Sequence, residues 1–188
     1  MARRKTTTLV SLLLFSIWVG ACYARAADLG GDFMLTDQRG EDFKLEHLRG
    51  KVVLLFFGYT YCPDICPTEL SNLASVLNAL DEREEEVRGV FISLDPERDT
   101  PEVLLNYTRY FNENLLGLTG SQSEIARVAQ QYQVKFKRHE STDGRYTLDH
   151  SANLYVIDRT GQLTTVVPYG FPPEHVLNVV KDLLDNGG

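Results

Sequence analysis

Two almost uninterrupted apolar runs dominate the pattern of this chain, one over residues 51–57 and one over residues 87–94. A run of this length and composition predicts a strand that is covered on both faces, in the middle of a sheet flanked by helices. Between the two runs, four apolar residues recur at helical spacing: Leu70, Leu73, Ala74 and Leu77. They predict a helix over residues 67–80 with a single apolar stripe.

Three further helices are predicted, two of them from the residues at which they start. Thr100, followed by proline, combines a capping side chain with a residue that suits a first turn, which predicts a helix over residues 101–111. Ser121, with glutamate three residues later, is a capping box that predicts a helix to about residue 132. Residues 172–184 have the pattern of a final helix.

Short extended segments flank three turn-forming stretches rich in Asp, Gly and Thr. The predicted pairs of arms are residues 33–36 with 42–45, 134–138 with 145–148, and 153–157 with 162–167. The resulting order is a hairpin, a βαβ unit, two helices, a second hairpin and a helix. This order predicts an α/β fold of the thioredoxin-like type, with a mixed central sheet, helices on both faces and an added N-terminal β-hairpin.

The N-terminus has the pattern of a targeting segment. Arg3-Arg4-Lys5 precedes the apolar stretch 9–19, and Ala24-Arg25-Ala26 resembles a cleavage site. We therefore expect residues 1–26 to be a signal peptide or membrane anchor and residues 27–188 to be the folded domain. Cys22 ends a sequence that resembles a bacterial lipobox, so a lipid anchor at Cys22 is an alternative to simple cleavage. Each interpretation predicts export to the bacterial periplasm or the outer face of the inner membrane.

The net charge of the chain limits the classes of partner that it is expected to bind. The formal net charge of the chain is −7, and removal of residues 1–27 leaves 15 basic and 26 acidic residues, a net charge of −11. An acidic domain of this kind argues against nucleic acid as a partner and favours cations or basic surfaces.

Cys62 and Cys66 lie just after the first buried strand, where a helix is predicted to start. The N-terminal end of a helix stabilises a thiolate, and residues four apart lie on one helical face, so both sulfurs can reach one atom. The pair can close a disulfide bond or chelate a soft metal. Outside the cytoplasm, paired thiols oxidise unless they are kept reduced or bound to metal.

Four segments together resemble the Sco (SenC) family of copper-binding proteins, which support assembly of cytochrome c oxidase. The segments are residues 30–37, residues 50–70 with Cys62-Pro63-Asp64-Ile65-Cys66-Pro67 inside them, residues 93–101, and Asp149-His150-Ser151. The resemblance extends over residues 29–184 and implies that Cys62, Cys66 and His150 bind copper, as Cu(I), Cu(II) or both. Two thiolates and an imidazole are a soft ligand set that suits copper.

Several other residues are weaker candidates for a role at this site. Asp149 either supplies a fourth ligand or, as we expect, steadies His150 or tunes the charge of the site. His139 is a candidate auxiliary ligand, whereas His47, in a predicted short helix before Gly50, and His175, in the first turn of the last helix, are expected to be ordinary histidines without a metal-ligand neighbour. Tyr59 and Tyr61 are expected to shield the sulfurs, and a turn with a helix cap is expected to account for Asp95 and Asp99.

The resemblance implies a metallochaperone that passes copper to the dinuclear copper site in a subunit of a terminal oxidase. Other periplasmic copper chaperones or thiol reductants are the further partners that it implies. The main alternative is a thiol–disulfide oxidoreductase, with Cys62 and Cys66 as its redox pair, that reduces the cysteines of the same oxidase site. A peroxidase of the peroxiredoxin type is disfavoured, because a peroxidatic cysteine follows threonine by three residues and Thr60 is only two before Cys62.

Overall fold

Residues 29–186, which are the residues that the computed structural model describes, form nine strands and four α-helices. The strands are β1 (Met34–Asp37), β2 (Asp42–Lys44), β3 (Val52–Gly58), β4 (Val87–Ser93), β5 (Leu115–Thr119), β6 (Phe136–Glu140), β7 (Tyr146–His150), β8 (Leu154–Ile157) and β9 (Leu163–Val167). The helices are α1 (Ile65–Asn78), α2 (Pro101–Phe111), α3 (Gln122–Gln131) and α4 (Pro173–Asn186).

Seven strands form one mixed sheet in the order β2-β1-β5-β4-β3-β8-β9. The central strands β3, β4 and β5 are parallel, and the strands on either side of them are antiparallel. All seven residues of β3 are buried, as its apolar sequence predicts for a strand covered on both faces. The thioredoxin-like α/β fold and the N-terminal hairpin of β1 and β2 are thereby confirmed.

The predicted caps form as expected. The Thr100 hydroxyl accepts a hydrogen bond from the Val103 N–H at 3.3 Å, and Ser121 and Glu124 form the reciprocal capping box of α3. The predicted start of α1 was wrong by two residues, because the helix begins at Ile65 instead of 67. Cys66 therefore lies inside the first turn of the helix, where the orphan N–H groups are concentrated.

One strand was missed by the prediction, and one hairpin was misplaced. The missed strand, β5, pairs with β1 and β4 in the main sheet. The arms predicted over residues 134–138 and 145–148 are displaced by about two residues, and β6 and β7 form a separate two-stranded sheet. His150 is therefore the last residue of β7, two residues beyond the predicted end of that arm.

The predictions for the N-terminus concern residues 1–26 and Cys22, which lie outside the described residues. Within residues 29–186, none of the helices combines the length and apolar character that crossing a membrane requires.

Candidate metal centre

Cys62 and Cys66 lie at the end of β3, in the loop that leads into α1 and in the first turn of that helix. The Cys66 N–H points at the Cys62 Sγ at 3.4 Å, so the Cys62 sulfur occupies the position of a helix-capping acceptor. Cys66 is fully buried, whereas Cys62 is half-buried, and both are free thiols. Gly58 leaves the space for the Cys66 sulfur, because a Cβ at that position would lie 2.7 Å from the Sγ.

The two thiols have opposite protonation preferences. The pKa of Cys62 is held far below its ordinary value, chiefly because its thiolate accepts a hydrogen bond from the Cys66 thiol, with further help from His150. The pKa of Cys66 is raised by the same hydrogen bond and by burial. In the metal-free cysteine pair, the negative charge is therefore centred on Cys62, the more accessible sulfur.

His150 approaches the cysteines from the two-stranded sheet. Its Nε2 lies 3.3 Å from the Cys66 Sγ, and its Nδ1 lies 3.0 Å from the Ser151 carbonyl oxygen. Because a carbonyl oxygen only accepts, Nδ1 carries a hydrogen, and Nε2 is the ring nitrogen that faces the sulfurs. The ring stands edge-on to Tyr59 and Phe56, with centroid distances of 5.9 and 6.3 Å.

The three donor atoms form a compact group. The sulfurs of Cys62 and Cys66 and a ring nitrogen of His150 all lie within 4.8 Å of one another. Bonds of about 2.0–2.3 Å to one central ion would separate three such donors by about 4 Å. The arrangement therefore fits a thiophilic ion after small movements of the side chains. A cleft of about 410 Å³, lined by Cys62, Ile65 and His150 among others, gives access from solvent.

Two of the other candidate ligands face away from this group. The Asp149 carboxylate binds His139 Nε2 at 2.8 Å, and the Asp149 side chain is 79% exposed. Asp149 does not steady His150 as expected, because the His150 Nδ1 lies against the Ser151 carbonyl instead. An effect of Asp149 on the charge of the site stays a prediction. His47 lies in a short 3-10 turn and His175 in the first turn of α4, as expected.

The two tyrosines behave differently from each other. Tyr59 is buried beside His150, and its hydroxyl accepts a hydrogen bond from the Leu148 N–H at 3.3 Å, so it closes one side of the site as expected. Tyr61 is 62% exposed and packs against the Arg98 guanidinium, 4.5 Å from its ring centroid.

The residues between β4 and α2 have a larger role than the turn and cap inferred from the sequence. Asp99 is completely buried, and its carboxylate accepts hydrogen bonds from the backbone and hydroxyl of Thr60, at 3.0 and 2.6 Å, and from Ser93. It thereby holds the loop that carries Cys62 against the end of β4. Burial raises the pKa of Asp99 in spite of these hydrogen bonds. The sequence signal was a second aspartate four residues after Asp95, ahead of the cap.

Comparison with known proteins places this geometry in a family. Residues 22–185 match the SCO1/SenC family model. An SCO2-like protein from Rickettsia felis is 37% identical over 161 residues, covering 85% of this chain and 78% of the relative.

Solved structures agree in fold. The copper-bound structure of ScoI from Bradyrhizobium japonicum has a TM-score of 0.77 and 42% identity, covering 82% of this chain and 99% of the other. BsSco, described as a member of the Sco family of cytochrome c oxidase assembly proteins with a disulfide switch, has a TM-score of 0.66 and 25% identity, covering 85% of this chain and 95% of the other.

Proposed function

This chain belongs to the SCO1/SenC family, and from that premise we propose that it is an extracytoplasmic copper chaperone. Cys62, Cys66 and His150 bind the copper ion, which is cargo destined for the dinuclear copper site of cytochrome c oxidase. The observation that supports this most directly is the group of two sulfurs and one imidazole nitrogen within 4.8 Å of one another. A relative of 42% identity has been solved with copper bound.

The chemistry of the donors favours Cu(I). Two thiolates and a neutral imidazole are soft ligands, and Cu(I) accepts three of them. Binding requires Cys66 to lose its proton, so each ion that binds to this reduced site displaces a proton, because Cys62 is already a thiolate. Delivery then proceeds by exchange of sulfur ligands with those of the acceptor. The N-terminal segment supports export, and the mass of the mature N-terminus tests whether cleavage or lipidation at Cys22 occurs.

Anaerobic titration of the reduced domain with Cu(I), against a competing chelator, tests the proposal. We expect one tight equimolar site that is weakened in both Cys66→Ser and His150→Ala. His175→Ala is the matched control, because His175 is exposed in α4 and stacks only on Phe171. Full affinity in His150→Ala would contradict the three-ligand site, and the absence of any tight site would contradict copper binding.

A second function is favoured by the unequal protonation of the thiols. In a thiol–disulfide oxidoreductase, the Cys62 thiolate attacks a disulfide sulfur of the oxidase subunit and displaces one of its thiolates. The Cys66 sulfur then attacks Cys62, releases the second thiolate and loses its proton. The product is a Cys62–Cys66 disulfide and a substrate reduced by two electrons. Full reduction of an oxidised copper-site peptide by one equivalent of metal-free protein would support this activity.

A further inference from the structure

The hairpin that carries His150 is attached to the rest of the domain by a small number of contacts. Strands β6 and β7 make no ladder with the seven-stranded sheet. Leu148 is buried, and its N–H donates to the Tyr59 hydroxyl. The hairpin also contacts the turn after β4, residues 94–100, through Tyr146 at the start of β7 and Arg138 in β6. The distance from His150 to the two sulfurs is therefore set by side-chain contacts of the hairpin, and not by pairing of β6 or β7 with the main sheet.

Arg98 lies between this hairpin and the loop of residues 59–64 that carries Cys62, which we call the cysteine loop. Its guanidinium lies 3.7 Å from the ring centroid of Tyr146 in the hairpin and 4.5 Å from that of Tyr61 in the cysteine loop. Its Nη1 donates to the Tyr146 carbonyl at 3.2 Å, and its Nε donates to Asp95. One planar cation thus contacts both the loop that carries Cys62 and the hairpin that carries His150.

Asp95 fixes this cation in place. Its carboxylate, which is only 3% exposed, accepts hydrogen bonds from Arg98 and from the Tyr146 hydroxyl, the latter at 2.7 Å. The same turn reaches Thr60 through Asp99. The turn after β4 therefore contacts the cysteine loop through Asp99 and the hairpin of β6 and β7 through Asp95. Arg98, in the same turn, contacts both.

We propose that Arg98 is a positioning residue that sets the distance between His150 and the cysteine pair, and through it the copper affinity of the site. This inference rests on the proposed function for its copper readout. Arg98 does not touch the metal. Its stacked, planar side chain keeps β7 at a fixed distance from the cysteine loop. A guanidinium is suited to this because it stacks on aromatic faces while its N–H groups bind a carboxylate and a carbonyl, which a lysine ammonium does not reproduce.

The test compares Arg98→Met and Arg98→Lys with Arg145→Met. Arg145 is the matched control, because it belongs to the same hairpin, is 86% exposed and pairs only with Asp143 in the turn. We expect Arg98→Met and Arg98→Lys each to bind Cu(I) about tenfold more weakly, the size of effect seen when a partner that orients a ligand is removed. Arg145→Met is expected to bind like the unmodified protein. Full affinity in Arg98→Lys would overturn the proposal, because the charge alone would then suffice.

A double variant separates positioning from a general effect on the fold. If Arg98 acts through His150, adding Arg98→Met to His150→Ala weakens binding no further than His150→Ala alone. Additive losses would overturn the proposal, since Arg98 would then act on the sulfurs or on stability.

A readout without metal distinguishes failure of this inference from failure of the proposed function. In the metal-free reduced protein, the His150 ring protons are expected to show nuclear Overhauser contacts to the Tyr59 ring, which lies 5.9 Å away between centroids. Loss of these contacts in Arg98→Lys supports the positioning role even if no copper site is found. Their retention overturns it. Absence of Cu(I) binding in the unmodified protein would contradict the proposed function alone.

Discussion

Gly58→Ala is a direct steric probe of the metal centre. Gly58 is the last residue of β3, in ordinary strand pairing with Ser93, so alanine is permitted by the backbone. Its new Cβ would lie 2.7 Å from the Cys66 Sγ and 2.9 Å from the Phe91 ring. Since non-bonded carbon atoms prefer about 3.5–4.0 Å, the sulfur or the strand must move by roughly 1 Å.

The expected magnitudes follow from this displacement. Overpacking a filled core costs about 1–3 kcal/mol of unfolding free energy. Metal sites tolerate deviations of only about 0.2 Å in ligand distances, so a sulfur displaced by roughly 1 Å misses its bonding position. We expect Gly58→Ala to remain folded, to lose about 1–3 kcal/mol of stability, and to bind Cu(I) at least about tenfold more weakly.

Urea unfolding and anaerobic Cu(I) competition measure the two effects separately. Gly89→Ala is the matched control, because Gly89 lies in the same sheet opposite Leu54, and its Cβ would lie 2.8 Å from Leu115 in β5 and from Leu73 in α1, with no sulfur within 4 Å. It is expected to lose stability but to retain its copper affinity. Full copper affinity in folded Gly58→Ala would refute the argument, as would an equal loss of affinity in Gly89→Ala.

Three other predictions address the thiols and the surrounding scaffold. Because the pKa of Cys62 is lowered, its alkylation rate by iodoacetamide should stay nearly constant as pH falls from 8 to 6, whereas an ordinary thiol slows about tenfold per unit; buried Cys66 should remain unmodified. Asp99→Ala leaves the Thr60 N–H and hydroxyl unpaired and should cost about 2–3 kcal/mol in urea unfolding. Ser121→Ala removes the cap of α3 and should cost about 1 kcal/mol in the same assay, with copper affinity unchanged.

Controls for these predictions are available in the same chain. Cys62→Ser should abolish the alkylation that persists at pH 6; labelling that remains in this variant would contradict the assignment of the low pKa to Cys62. Asp143→Ala removes an exposed carboxylate that pairs with Arg145, and a loss as large as that in Asp99→Ala would show that burial is not the cause. A fall in copper affinity in Ser121→Ala would contradict the separation of α3 from the site.

The main sheet and the ligand group follow from signals that are local in the sequence. The continuous apolar run of β3 predicts a buried strand, and the capping residues Thr100 and Ser121 give the starts of two helices almost to the residue. The cysteine pair lies where the strand ends, so the site could be placed before any contact was known. His150 was identified only through the resemblance of its flanking residues, because nothing in its spacing relates it to Cys62 or to Cys66, the latter 84 positions away.

The parts that were missed depend on contacts between distant segments. β5 is only five residues long and contains a glycine, and its strand conformation is stabilised by pairing with β1 and β4. The hairpin of β6 and β7 is largely exposed, so its sequence lacks the alternation that fixes a register. The role of Arg98 is equally non-local, because its contacts with Tyr146 join segments 48 residues apart.

The two sulfurs of the site differ in burial, so that one faces the solvent and the other faces the protein interior. Cys66 is fully enclosed, whereas Cys62 borders the open cleft. In the proposed transfer, an acceptor that enters through this cleft reaches Cys62 and His150 before it reaches Cys66. Exchange of ligands would then have a direction, because Cys66 would hold the ion from the protein side while the acceptor replaces the contacts on the solvent side.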